Sequence, residues 1–181
     1  SRYKSIYELK ESLIRKEYPE AFVLKAVDKL IKQGYLNDRV FTKSYINNKM
    51  ITSNSGPFKI EKELLEKKID SEIIKEEIEI FNDDEQITRI NKLIEKGLKT
   101  NHTRGGVVLK QKIYNDLKTL GYDIPLINSV ISNYEFENNQ DIAKKEYDKL
   151  YRKYSRKYEG EELKRKINEK MYQKGLRYIE E

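Results

Sequence analysis

The sequence predicts an all-α protein of tandem three-helix modules forming an elongated, curved array. The first reason is a repeat. Apolar residues Ile60, Leu64, Ile69, Ile73, Ile74 and Ile78 are matched offset by offset by Ile113, Leu117, Tyr122, Leu126, Ile127 and Ile131. Leu9, Leu13, Tyr18, Phe22, Val23 and Val27 give the pattern again, and Ile167, Met171 and Leu176 begin it a further time. The equivalent positions Leu13, Leu64, Leu117 and Met171 stand 51, 53 and 54 residues apart, a near-constant period. The second reason is phase: steps of four inside a block are helical, and the five-residue step from Leu64 to Ile69 marks where two helices meet. The third is composition. Charged residues make up 38% of the chain, with only 8 Gly and 3 Pro in 181 residues, which favours long solvated helices.

The first module, 1–37, lacks its opening helix, and its two helices meet at Glu17 and Tyr18-Pro19. In the second, 38–82, Asp38 is expected to cap a helix carrying Phe41, Tyr45, Ile46 and Met50, closed by the stretch from Thr52 to Gly56. Two shorter helices follow, meeting at Lys68 with Asp70 as the cap. In the third, 83–137, Asp83 or Asp84 opens a helix with Ile87, Ile90, Leu93, Ile94 and Leu98, which a loop from Lys99 to Gly106 ends. Its later helices meet at Gly121, with Asp123 capping. The fourth, 138–181, is partial. Ala143, Tyr147, Leu150, Tyr151, Tyr154 and Tyr158 form one stripe that stops near Gly160, and Gly175 marks the next turn.

Gly121 and Gly175 suit the left-handed conformation that ends a helix. Glu17 and Lys68 stand where Gly would be easiest, and a left-handed backbone there would cost about 1 kcal/mol. Helices this amphipathic must bury their stripes against their partners and the adjoining module, so contacts run between nearest neighbours and leave an extended concave face. Fourteen Tyr supply rings for burial, each able to keep its hydroxyl wet, which argues against a disordered chain.

Charge and residue types exclude several function classes. A net charge of +6 and a pI near 9.1 admit nucleic acid, an anionic membrane or an acidic protein face as partner. Cysteine is absent, which removes disulfides, thiol catalysis and thiolate metal sites. No apolar run approaches the roughly 20 residues that span a bilayer, and the N-terminus lacks a signal-peptide core, so a cytoplasmic address is expected. Ser1 reads as a residue left by expression or as a start within a longer protein, since the first motif is under way at Arg2.

His102 is the only histidine and sits in an expected loop without a second ligand. Asp83, Asp84 and Glu85 fit a helix first turn better than a metal site. Gly105-Gly106 lacks the lysine and hydroxyl of a nucleotide loop. No catalytic residue, metal or cofactor is therefore expected, and the chain reads as non-enzymatic.

The junction of the first two modules reads Gly34-Tyr35-Leu36-Asn37-Asp38-Arg39-Val40-Phe41. Further on comes Gly56-Pro57-Phe58-Lys59-Ile60-Glu61-Lys62-Glu63-Leu64-Leu65-Glu66-Lys67-Lys68-Ile69. Both resemble the RecX family, whose second module carries G-[YF]-[LI]-[DN]-D-x-x-[FY] and G-P-x-x-I-x-x-E-L-x-x-K-G-I. Lys68 departs from the usual Gly, and Phe58-Lys59 stands where arginine is common. Arg2-Tyr3-Lys4-Ser5-Ile6-Tyr7-Glu8-Leu9 is similar to the family's R-x-[RK]-S-x-x-E-L. The helix from Lys110 to Leu117, with Gly121-Tyr122, resembles its third module. The resemblance runs from residue 2 to about 176 and is strongest in the first two modules.

The resemblance implies a regulator that binds the RecA filament on single-stranded DNA and restrains its growth, ATP hydrolysis and strand exchange. A monomer is expected, without membrane contact. An arc of modules can follow a helical groove and gain avidity through many weak contacts. The motif residues have local structural reasons: Pro57 starts a helix, and Glu63 and Lys67 form a solvated pair. Recognition is therefore expected on less patterned basic positions.

One set is Tyr151, Arg152, Lys153, Tyr154, Arg156 and Lys157, followed by Lys164, Arg165 and Lys166. Cations interleaved with aromatic faces suit phosphate contact and base stacking, although a core stripe with a solvated cationic flank has the same pattern. The other set is Lys59 and Lys62, with Arg104, Lys110 and Lys112, at loops and helix starts where anions also meet unpaired N–H groups. A stand-alone DNA-binding protein of tandem helix-turn-helix-like modules is the competing reading. It lacks the tryptophan spacing of Myb-like repeats and a helix rich in Arg, Asn and Gln for base readout. A purely structural helical scaffold is a further class, and it predicts no affinity for RecA.

Overall fold

The computed structural model describes residues 4–178, and these form ten helices with no strand among them. Arg2 and Tyr3 of the first motif lie outside the described residues. The chain divides into two compact units, one of residues 1–86 and 119–123, the other of 87–118 and 124–181.

The first unit holds α1 (Ile6–Ile14), α2 (Glu20–Lys32), α3 (Asp38–Thr52), α4 (Pro57–Glu66) and α5 (Ser71–Ile78). Its core takes Val23, Val27, Ile60, Leu64, Ile69 and Ile74 from the repeat stripe and Phe41 and Ile46 from α3, all of them buried. α1 opens with a capping box, in which Ser5 Oγ accepts from the Glu8 N–H at 3.1 Å and the Glu8 carboxylate accepts from the Ser5 N–H at 3.2 Å. Ser5 Oγ also donates to the Lys67 carbonyl at the end of α4, at 3.3 Å, and Lys67 Nζ pairs with Glu8.

Asp38 does not cap α3. The cap is Asn37, whose side chain accepts from the Arg39 and Val40 N–H groups. Asp38 instead reaches across to accept the Ile6 N–H at 2.9 Å, satisfying the start of α1. Two adjacent acceptors thus serve two helices, because the first turn of α1 leaves a donor within reach of α3. Arg39 bonds Glu76 and Glu77 of α5 and ties α3 to it. At the opening of the next long helix Asn82, ahead of both Asp83 and Asp84, accepts the Glu85 N–H.

The second unit is built on α6 (Asp83–Lys99) from Ile87 onward, α7 (Gly106–Leu120) as far as Lys118, α8 (Ile124–Ile131), α9 (Gln140–Tyr154) and α10 (Gly160–Gln173). Ile90, Ile94, Leu109, Ile113, Leu117, Ile127, Val130 and Ile131 form one part of its core. Ala143, Leu150, Leu163, Ile167, Met171 and Leu176 form another, flanked by Tyr147, Tyr154, Tyr158 and Tyr178. α7 has fifteen residues against ten in α4, so the matched apolar offsets conceal an extra helical turn at its start.

The turns repeat as the pattern requires. Glu17, Lys68, Gly121 and Gly175 all have positive φ, at 64°, 56°, 84° and 68°. Two of these turns are met in the same way by the loop ahead of another helix. The Gly56 N–H donates to the Leu120 carbonyl at 2.7 Å, and the Gly105 N–H donates to the Lys174 carbonyl at 3.0 Å. Ser5 on Lys67 occupies the corresponding place beside the Lys68 turn.

Residues after these turns are buried where such a joint covers them. Tyr122 is 2% exposed and its hydroxyl donates to the Asn54 carbonyl at 3.1 Å. The equivalent Tyr18, beside the Glu17 turn, is 56% exposed, and Phe22 is 70% exposed.

Candidate functional site

α9 begins at Asn139, whose side chain accepts the Ile142 N–H. Its inward face carries Ala143, Tyr147, Leu150 and Tyr154 against α10. Tyr151 departs from the stripe. It is 49% exposed, with its ring centroid 6.4 Å from that of Tyr147, because it lies about 80° around the helix from Ala143. The buried arc runs to the other side of Ala143, where Glu146, about 60° around, is 4% exposed and has its carboxylate held by Lys174 Nζ from beyond α10. Separating such a pair would leave a buried charge unpaired.

The cations of α9 and the turn after it point the other way. Arg152, Lys153, Arg156 and Lys157 are exposed, and Lys153 lies over the Tyr154 ring at 5.5 Å. Among the described residues Arg152, Arg156 and Lys157 make no ion pair. On α10, Lys164 pairs with Glu161 at 3.2 Å and the half-buried Lys166 approaches Glu169 at 3.9 Å, whereas Arg165 is exposed and makes no ion pair among the described residues. Exposed Lys145 and Lys149, not among the expected recognition residues, extend the cationic side of α9 toward its start. Their signal in the sequence is the spacing of Lys145, Lys149 and Arg152 at helical steps.

The other expected residues divide between the units. Lys59 and Lys62 are exposed on α4 in the first. Lys59 acts on Glu63, which also accepts the Tyr45 hydroxyl at 2.6 Å and pairs with Lys49 at 2.6 Å. Burial pushes the Glu63 carboxyl upward, but the bonds from Lys49 and Tyr45 and the nearby Lys59 outweigh it and hold the group below its ordinary value. Asp38 shifts the other way: burial raises it, the Ile6 N–H lowers it in part, and Glu8 adds to the rise.

Arg104 is half-buried in the loop ahead of α7, where its N–H donates to Asn101 Oδ1 at 3.0 Å. Lys110 is exposed on α7 with its Nζ 5.9 Å from the Phe136 ring, and Lys112 pairs with Asp116. His102 is exposed, and no group of three metal-capable side chains occurs among the described residues. No helix there is long and apolar enough to cross a membrane. The surface offers aromatic and cationic contact on a fixed scaffold.

Comparison with known proteins agrees with this architecture. Residues 37–77 match the family model described as RecX, second three-helix domain. Over 175 residues the chain is 31% identical to a protein named Regulatory protein RecX from Streptococcus agalactiae serotype Ia, covering 94% of this chain and 67% of that one. The protein of the same name from Bacillus velezensis is 31% identical, with 97% and 68% covered. The chain thus spans about two-thirds of the length of these relatives, and 60% of another from Streptococcus agalactiae serotype III.

The crystal structure of RecX from Lactobacillus salivarius superposes with a TM-score of 0.66 at 25% identity, over 73% of this chain and 86% of that one. Helices that cap one another through the Ser5, Asn37 and Asp38 motif residues, in a chain this similar along nearly all its length, have one assignment. The chain belongs to the RecX family of regulatory proteins.

Proposed function

We propose that the chain regulates the RecA recombinase by binding its filament on single-stranded DNA, restraining filament growth, ATP hydrolysis and strand exchange. The observation that carries this reading is the 31% identity to Regulatory protein RecX of Streptococcus agalactiae over 94% of the chain. The working units are the modules 1–37, 38–82, 83–137 and 138–181, acting as a monomer, each offering a small contact surface so that several weak contacts add along a filament.

Two features of the fold support a binding role. The motif residues Ser5, Asn37, Asp38, Gly56 and Pro57 are consumed in capping and close approach, which leaves recognition to exposed positions. Among these, Arg152, Arg156, Lys157 and Arg165 make no ion pair within the described chain and remain available to an anionic partner. The test is ATP hydrolysis by a matched RecA on single-stranded DNA with substoichiometric amounts of this protein. A slowed rate is expected, and an unchanged rate overturns the reading.

A further inference from the structure

Two surface clefts occupy equivalent places in successive modules, and their chemistry is opposite. The first lies between α4, the end of α5 and the start of α6, with Phe58, Glu61, Ile78, Glu79, Asp83 and Asp84 in its lining, which contains no cation. The second lies between α7 and α8 and is lined by Lys110, Gln111, Tyr114, Asn128, Ile131 and Ser132, with no carboxylate. The 53-residue step that relates Leu64 to Leu117 also carries Phe58 to Gln111, Glu61 to Tyr114, Ile78 to Ile131 and Glu79 to Ser132. One scaffold position has thus been given two different surfaces.

We propose that the α7–α8 cleft is a subsite for one nucleotide of single-stranded nucleic acid. Its volume of 360 Å³ lies near the lower end of the roughly 300–1,000 Å³ range of small-molecule clefts. Tyr114 is a half-buried residue of the lining, and an aromatic ring in a cleft wall can serve as a stacking platform for a base. Lys110 reaches the same cleft with its ammonium 5.9 Å from the Phe136 ring, which steadies a cation for phosphate. Gln111 donates to Asn115 Oδ1 at 3.1 Å and so keeps its own amide oxygen as an acceptor, while Asn128 offers a donor and an acceptor for base edges.

The absence of carboxylates from this lining is notable in a chain with 31 Asp and Glu, because a phosphate backbone is repelled by such groups. The α4–α5 cleft serves as an internal control. It shares lining positions with the other cleft through the repeat, and its carboxylates repel the same ligand.

The subsite rests on the proposed RecA regulation only for which strand it meets, so both are measured on the same protein. The full chain is titrated against a fluorescein-labelled oligothymidylate across a salt series, with anisotropy as readout and circular dichroism confirming the fold of each variant. Tyr114→Ala is expected to weaken binding about tenfold, and Tyr114→Phe to retain it, since the face and not the hydroxyl stacks. Lys110→Ala is expected to lower the salt slope by about one. Glu61→Gln, in the other cleft, leaves binding unchanged.

Failure of the parent chain to bind the strand at low salt overturns the subsite, as does parent-like binding by Tyr114→Ala and Lys110→Ala. If RecA hydrolysis is still slowed in either case, the subsite falls and RecA regulation stands. Tyr114-dependent strand binding with no effect on RecA upholds the subsite and overturns RecA regulation.

Discussion

Gly56 and Gly121 meet backbone to backbone, so closely that a Cβ on Gly56 would lie 2.5 Å from the Gly121 carbonyl oxygen. A Cβ on Gly121 would fall 2.5 Å from the Lys59 nitrogen. Neither obstacle is a flexible side chain that could swing away. The contact lets the start of α4 give two N–H groups, from Gly56 and Phe58, to the carbonyls of Leu120 and Gly121.

Gly56→Ala should therefore destabilise the protein by about 1–3 kcal/mol through overpacking against backbone. Gly121→Ala should cost more, since its φ of 84° adds left-handed strain. Urea denaturation of both variants and of Gly34→Ala measures this. Gly34 shares a positive φ but a Cβ there meets nothing within 4 Å, so its loss reports the strain alone.

At Lys68 a left-handed backbone is occupied by a residue that carries a Cβ. It holds φ at 56° beside the joint made by Ser5 and Lys67, and its side chain is exposed. Lys68→Gly should raise stability by about 0.5–1 kcal/mol, the relieved strain being partly offset by the freer unfolded chain. Glu17→Gly should gain similarly. A fall in the denaturation midpoint for both would show that the turn is held without strain.

Helix positions and left-handed turns are legible in the sequence because both depend on residues a few places apart, and offsets survive insertion elsewhere. Asp38 reads as a cap for α3 because its true partner, the Ile6 N–H, is remote in sequence. Glu146 gives no signal, because a charge within an apolar arc is recognised only once its counter-ion from Lys174 is in place. Tyr151 resembles a core residue because its spacing of four from Tyr147 ignores the width of the buried arc. The extra turn of α7 is hidden because insertion ahead of the stripe leaves the later offsets intact.

The contact of Glu63 with Tyr45 and Lys49 gives a pH dependence of definite sign. Its carboxyl is held below its ordinary value near 4.5 in the folded protein, so the folded state binds this proton less readily than the unfolded chain. The stabilisation is present above the unfolded value and is lost as pH falls through the lowered folded value. Glu63→Gln should remove this part of the acid sensitivity, flattening the stability profile below about pH 4.5 relative to the parent. Denaturant midpoints at a series of pH values provide the measurement, and parallel profiles would contradict the assignment.

The exposed cations of α9 and the turn after it separate scaffold from surface most sharply. Arg152, Lys153, Arg156 and Lys157 lie outside the buried cluster of Ala143, Leu150, Leu163, Ile167, Met171 and Leu176. Replacing all four with Ala removes charge while leaving that cluster and the Glu146–Lys174 pair untouched. Helicity should be unchanged, and inhibition of RecA hydrolysis should weaken and lose part of its salt dependence, since each phosphate contact contributes to the slope. The comparison is Lys112→Ala, whose charge is already engaged by Asp116 and whose loss should matter less. If the fourfold variant inhibits as well as the parent across the salt series, the α9 face does not meet the filament. If it loses inhibition only together with helicity, the cations are part of the scaffold.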